Sequence, residues 1–497
     1  VKVDPPRLPS APLPPLLPWR DQQPLLSLGG DPWRIKDACE GVMIFGGTGS
    51  GKTSGSGRAL ATAYLEAGFG GLVLCAKPDE PELWCRYAAE AGRSADVVRF
   101  GPGSGWAFNF MEYECRRPGA GAGLTENLVN LFVEISSIGT GAAGGGADPF
   151  WERAMKSLVR NCVDLLLLAG QPVSLPAMFE LIRTAPEDPA RAANEAWLKT
   201  SFCAKCVAEA QTLSGQGPAA DDCRETCGFW VGQFPTLGEK TRGSLVATFT
   251  TLAESLMRGR MRELFCRGTT LTPEDALDGR LILVDLPVKE WAEIGRLAAG
   301  VWKYAFQKAV ERRQGEPGAP ARPVFLWADE CQSFASRYDA LFQATARSSR
   351  AATVYLTQNY ASLIAALGGE REGRALVDAL LGNLGTKIFH ANSDRDTNQF
   401  AADLIGKRLQ LLRNGGGGLN ASLGGSGGLG ASSHRGGGEH MDYEIQPREF
   451  AALRKGGPEH GCAVEAMVFQ NGRTWTATDR SWIRIAFSQN PTRRRCR

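Results

Sequence analysis

Residues 46–53 read GGTGSGKT and fill the pattern G-x-x-x-x-G-K-[ST] without a departure. Ahead of them the apolar run VMIF (42–45) reads as a buried strand, and from Lys52 onward the chain reads as the start of a helix. A glycine-rich loop between a strand and a helix constrains this chain more than any other feature. In that setting successive backbone N–H groups of Gly46, Gly47, Thr48, Gly49, Ser50 and Gly51 face a phosphate chain, and the helix N-terminus adds its positive end. Lys52 then neutralises β/γ-phosphate charge and Thr53 holds Mg²⁺, so the expected cofactors are ATP and Mg²⁺.

The rest of the chain supports an α/β fold. Strands are predicted at 42–46, 72–76, 97–100, 281–286, 324–328, 353–357 and 387–390, with helical segments between most of them, which argues a mostly parallel central sheet. From about 112 to 279 the alternation stops and helix follows helix, so an all-α domain is expected there, inserted between two parts of the α/β domain (31–111 and 280–497). The first 30 residues, with PPRLPSAPLPPLLPW, read as a proline-rich extended arm. Residues 414–438 are almost all Gly, Ser, Ala and Leu and read as a mobile linker. After it a helix is expected near 447–454, and strands at 463–469, 474–478 and 483–487.

A phosphate loop needs a carboxylate on a neighbouring strand for the metal and a base for the attacking water. VFLWADE (324–330) supplies both at a strand end: Asp329 for the metal shell, Glu330 to polarise water. Asp285 in LILVDLP is the rival, but it has no neighbouring base. Gln358 closes the next predicted strand, where its amide can sense a γ-phosphate. Arg347 and Arg350 precede that strand, and either could reach a neighbouring subunit as an arginine finger, although a solvated surface role is the ordinary one for isolated arginines.

The ordered set GGTGSGKT, KPDEPELW (77–84), ILVDLP (282–287), FLWADECQSF (325–334), ARSSRAATVYLTQN (346–359) and KIFHANSDRDTNQFAADLIGK (387–407) resembles the TraD/TraG-type coupling ATPases of conjugative type IV secretion, which belong with the FtsK and HerA motors. The resemblance runs from about residue 31 to 487. It implies a RecA-like motor domain with an all-helical insert, a homo-oligomeric ring of hexamer type, and ATP hydrolysis that drives DNA with attached relaxase-like protein toward a secretion channel. By position it implies a nucleotide site of Lys52, Thr53, Asp329, Glu330 and Gln358, with Arg347 as the arginine finger. Absence of N-terminal membrane helices and the glycine-rich stretch depart from the family pattern.

Composition sets the remaining bounds. A net charge of +3 does not by itself argue for nucleic acid, so any sequence-independent DNA contact has to be local. The basic end at 493–497 reads as a solvated tail. No apolar run approaches the ~18 residues of a membrane span. The chain starts with Val, which leaves room for an upstream segment. The expected location is the cytoplasmic side of the inner membrane, reached through a partner or such a segment; the 13 cysteines fit a reducing compartment. Cys203-x₂-Cys206 and Cys223-x₃-Cys227 resemble two halves of a zinc site, against which stand their helical flanks and the lack of a glycine-bearing turn. His390, His434, His440 and His460 show no ligand spacing.

Overall fold

Most of the apolar runs read as strands form strands where the alternation predicts them. The structure, a computed structural model, describes residues 19–490 apart from 120, 140–148, 216, 314–320 and 421–429. The basic cluster at 493–497 and most of the proline-rich stretch lie outside the described residues. The strands are β1 (Pro24–Leu28), β2 (Asp31–Arg34), β3 (Val42–Phe45), β4 (Gly70–Leu74), β5 (Val97–Phe100), β6 (Leu281–Val284), β7 (Val324–Ala328), β8 (Ala351–Thr357), β9 (Thr386–His390), β10 (Lys407–Asn420), β11 (Gly430–Tyr443), β12 (Ala463–Gln470) and β13 (Trp482–Ser488).

Nine of the described strands form one sheet in the order β13-β12-β9-β3-β8-β7-β4-β6-β5. From β9 to β5 every pairing is parallel; β12 then runs antiparallel to β9, and β13 antiparallel to β12. Parallel strands are buried on both faces, and the period of two sorts their side chains. Met43, Phe45, Leu72 and Leu74 join one apolar core, while Val42, Ile44 and Val73 join the other with Leu60 and Tyr64 of the helix Arg58–Glu66. All four residues of β3 are fully buried, each contributing roughly 1.5–3 kcal/mol of transfer free energy.

Between β5 and β6 every described element is helical, from Phe110–Arg116 to Pro273–Leu277. These helices share the first core: Leu158, Val159, Cys162 and Met178 continue the apolar cluster that begins on Met43 and Phe45. The fold is therefore a mostly parallel RecA-like sheet carrying an inserted all-α domain, as the sequence predicts.

Three expectations differ from the observed structure. The end of the proline-rich stretch is paired: β1 and β2 form an antiparallel hairpin, Trp19 and Leu28 are buried, and Pro24 sits at the first position of its strand, where a missing N–H is tolerated. Across the expected linker at 414–438, β10 and β11 pair antiparallel through the backbone from Lys407↔Tyr443 to Asn420↔Gly430, and residues 421–429 lie outside the described set. No strand forms at 474–478; Trp475 and Arg480 close a tight turn through a single bridge. Among the described residues, no helix is long and apolar enough to cross a membrane.

Candidate nucleotide site

Sheet order decides which residues meet. β3, β8 and β7 are consecutive neighbours, so the chain leaving their C-terminal ends collects at one edge. The phosphate loop follows β3, Gln358 follows β8, and Asp329 and Glu330 follow β7. Ligands of open parallel sheets bind at such an edge.

The loop has the backbone that its glycines allow. Gly49 and Gly51 are left-handed (φ +71° and +80°), a region in which side chains other than glycine are strained. A Cβ on Gly51 would also lie 2.5 Å from Val464 Cγ2 of β12, so the strand pair β12–β13 packs directly beneath the loop. Gln489, just past β13, donates to Ser54 Oγ at 2.7 Å. The following turn is wide, with Gly57 N–H bonding the Lys52 carbonyl at 2.9 Å, before the regular helix Arg58–Glu66 begins.

Opposite the loop stands an acidic pair. Thr53 Oγ1 donates to Asp329 Oδ2 at 2.9 Å. Lys52 Nζ lies 3.6 Å from Glu330 Oε1. Glu330 is a left-handed residue (φ 53°), a conformation that costs a non-glycine side chain on the order of 1 kcal/mol and persists where its surroundings hold it. Here they do: Glu330 N–H bonds Asp329 Oδ1 at 2.9 Å, Gln332 Nε2 donates to Glu330 Oε2 at 2.7 Å, and Gln358 Nε2 reaches Oε1 at 3.2 Å. Burial works to raise the Glu330 carboxyl, but the Gln332 hydrogen bond, the Lys52 charge, the Gln358 hydrogen bond and Lys77 outweigh it and hold it below the usual range. Glu330 is thus ionised at neutral pH and able to accept a water proton.

The donor set fits a magnesium nucleotide: a hydroxyl and a carboxylate oxygen already in contact, a lysine, and a loop in which Ser50 Oγ fills the space that a Cβ on Gly46 would take. Asp285, the rival carboxylate, follows β6, two strands from β7, and is bound instead by Arg99 at 2.7 Å. Arg347 is not brought to this edge. It precedes β8, at the opposite end of that strand from Gln358, with its side chain 66% exposed and 3.2 Å from Glu40. Arg350 lies beside it and is held by Trp19 O and Asp21.

Several site residues escape a reading of the sequence alone. Lys77, after β4, donates to Asp329 Oδ2 at 2.8 Å. Burial opposes its charge, but Asp329, Glu80 and Glu330 raise its pKa. Burial pushes Glu80 up to about 8, with the Asp329 charge adding to the effect. Gln332 stands inside the FLWADECQSF run with no role read from it, yet it links Glu330 to Thr357 Oγ1 at 2.9 Å. Asn392 holds the Gln358 carbonyl at 2.7 Å. A usable signal exists for Lys77, which stands in a KPDE run right after a strand.

His390 ends β9, fully buried behind the loop. Its Nδ1 lies 3.0 Å from the Glu465 carbonyl, which can only accept, so Nδ1 carries the proton and Nε2 accepts from Ser56 Oγ at 2.7 Å. Burial, opposed by the hydrogen bond to the Glu465 carbonyl and aided by the Lys52 charge, lowers its pKa from 6.5 to about 4. Below pH 6.5 the unfolded chain takes up this proton and the folded chain does not, so stability present at pH 7 is lost as pH falls from about 6.5 to about 4. The full loss is about 3 kcal/mol. In thermal melts His390→Gln should show a shallower fall between pH 6.5 and about 4.5 than the parent; parallel curves would contradict this assignment.

The four paired cysteines are buried on helices of the inserted domain, and Cys223 and Cys227 pack sulfur to sulfur at 3.8 Å. Among the described residues, no group of three or more His, Cys, Asp or Glu side chains is arranged to hold a metal.

Known proteins share both the segment that carries the acidic pair and the fold around it. Residues 323–430, from β7 into the β10–β11 region, match the family described as the TraM recognition site of TraD and TraG. The match covers this segment and not the rest of the chain. No curated protein matches it by sequence. Among solved structures, the bacterial conjugative coupling protein TrwBdeltaN70 in its unbound monoclinic form superposes with a TM-score of 0.61 at 14% identity, over 95% of this chain and 90% of the other. TrwB bound to the non-hydrolysable analogue ADPNP gives 0.59 at 15% identity, over 95% and 91%. TrwB with ADP and Mg²⁺ gives 0.59 at 15%, over 95% and 90%. At these identities the likeness concerns the fold, which this chain shares along nearly its whole length.

Proposed function

We propose that the chain is an ATP-hydrolysing, ring-forming motor that couples DNA, with attached relaxase-like protein, to a type IV secretion channel and drives its passage. One observation carries the reading. Thr53, Asp329, Glu330 and Gln358, from three neighbouring strand ends, meet around a complete phosphate loop in a chain whose 323–430 segment is of the TraD/TraG type. Lys52 and the loop amides bind the phosphates of ATP, and Thr53 and Asp329 hold Mg²⁺, which supplies charge neutralisation when bound. Glu330 takes the proton of the attacking water, and Gln358 and Gln332 keep its carboxylate in place. Residues 31–111 and 280–497 act as the motor domain, 112–279 as its helical insert, and Arg347 completes a site across a hexamer interface. The ligands named for the TrwB structures, ADPNP and ADP with Mg²⁺, support the cofactor assignment. The chain works at the cytoplasmic side of the inner membrane.

A motor on DNA needs weak, renewable phosphate contacts, and a net charge of +3 suits them. ATPase rate should therefore rise with DNA added and with DNA length, independent of sequence, and the stimulation should fall steeply with salt. If single-stranded and duplex DNA leave the rate unchanged at every salt concentration while a protein substrate or pilus subunit raises it, the chain is a protein-directed ATPase of the pilus-assembly sort; stimulation by DNA ends alone would instead favour a HerA-like DNA-processing ATPase. Glu330 speaks against a third reading, an adaptor that uses ATP only as a switch, since such a switch has no need for a water-activating carboxylate.

A further inference from the structure

Asp329 Oδ2 carries two contacts at once. Thr53 Oγ1 reaches it at 2.9 Å and Lys77 Nζ at 2.8 Å. The same ammonium lies 3.7 Å from Glu330 Oε1 and 3.8 Å from Glu80 Oε1. Three carboxyl groups that are nearly inaccessible to water thus converge on one half-buried cation, which has reached them from β4, the strand next to β7. Glu80 is anchored there by the Ala76 N–H at 2.7 Å through its other oxygen. The charges of Asp329 and Glu330, packed this closely, need a counter-ion in the free protein. Lys77 supplies it at the oxygen that a divalent cation would take.

We propose that Lys77 is a positioning residue: an internal counter-ion that holds the Asp329–Glu330 pair in the free chain and is displaced from Asp329 Oδ2 when Mg²⁺ arrives with the nucleotide. This rests on the assignment of Thr53 and Asp329 as the magnesium residues. It makes Lys77 a competitor of the metal, in contrast to Lys52, which faces the phosphates. Mg²⁺ binding is then weaker than the bare carboxylates would give, and the acidic pair keeps its geometry between turnovers. A divalent ion and an ammonium on one carboxylate oxygen repel each other, which favours the exchange.

The test measures binding, with no turnover needed. The affinity of the full chain for a fluorescent ADP is titrated in EDTA and in Mg²⁺, and the ratio of the two dissociation constants is compared among variants. Lys77→Met should raise the gain from Mg²⁺ by about tenfold, since a hydrogen-bonded charge no longer has to be displaced. Lys77→Arg should keep the parent ratio. Mg²⁺ alone should raise the melting temperature of Lys77→Met more than that of the parent. Lys77→Gln, which retains a donor for Asp329, serves if the methionine variant does not fold, and should move the ratio in the same direction. An unchanged ratio in the uncharged variants overturns the proposal. So does an equal loss of ADP affinity in EDTA and in Mg²⁺, which would make Lys77 a phosphate ligand. Asp329→Asn separates the two levels: it should abolish the Mg²⁺ gain, and if it does not, the magnesium assignment itself is wrong.

Discussion

Glu330→Gln should bind ATP as tightly as the parent and hydrolyse it roughly 10²–10⁴-fold more slowly, the usual span for losing a positioned general base. The amide keeps the size and part of the contacts of the carboxylate, since Gln332 and Gln358 sit against either oxygen and an Oε1 remains to accept from one of them. It removes the charge that polarises water. Lys52→Ala should fail differently, with affinity and turnover falling together, because the loop then has no side-chain cation for the β- and γ-phosphates. Equilibrium binding of a slowly hydrolysed analogue, set beside single-turnover hydrolysis, tells the two apart. A Glu330→Gln protein with near-parent turnover would move the base elsewhere and remove the main argument for a motor.

The second large effect concerns Arg347. Within one chain it sits at the far end of β8, paired with Glu40 and two-thirds exposed, so it can serve a nucleotide only in another copy. Arg347→Ala should then lower turnover by about 10³–10⁵-fold, as loss of an arginine finger does, with ATP affinity largely kept. Mixing Arg347→Ala with Lys52→Ala should restore part of it. In a randomly mixed ring roughly a quarter of the head-to-tail interfaces pair an intact Lys52 with an intact Arg347. Recovery that depends on mixing, and vanishes on dilution below assembly, is the expected result. A stable monomer with full turnover would exclude a role for Arg347 across an interface.

Much of this site is legible in the sequence because its signals are local. A strand such as β7 needs only five apolar residues in a row, and the two carboxylates next in the chain, Asp329 and Glu330, must then emerge at the sheet edge. The boundaries of β5 and β7 are the predicted ones, since Val97–Phe100 and Val324–Ala328 end abruptly in turn-forming residues. The misses have physical causes. The β10–β11 pairing runs through main-chain groups, and a glycine-rich strand has no side-chain period to read. Pro24 reads as a sign of an unpaired arm, yet at the first position of a strand it gives up nothing. Lys77 and Gln332 depend on which strands are neighbours, and β4 beside β7 is a fact of topology that no local pattern encodes. The same applies to His390, whose partners Ser56 and Glu465 come from opposite ends of the chain.

The packing of β12 and β13 beneath the phosphate loop has a consequence for synthesis. Ser54 and its partner Gln489 are 435 positions apart, with the whole helical insert made in between. A ribosome therefore releases the loop long before the strands that support it, and this closure is among the most distant contacts the chain must form. Until then the glycine turn at 49–51 has no Val464 behind it. A nascent chain, or an N-terminal fragment cut by a protease, would carry the full GGTGSGKT motif without the strands that pack beneath it.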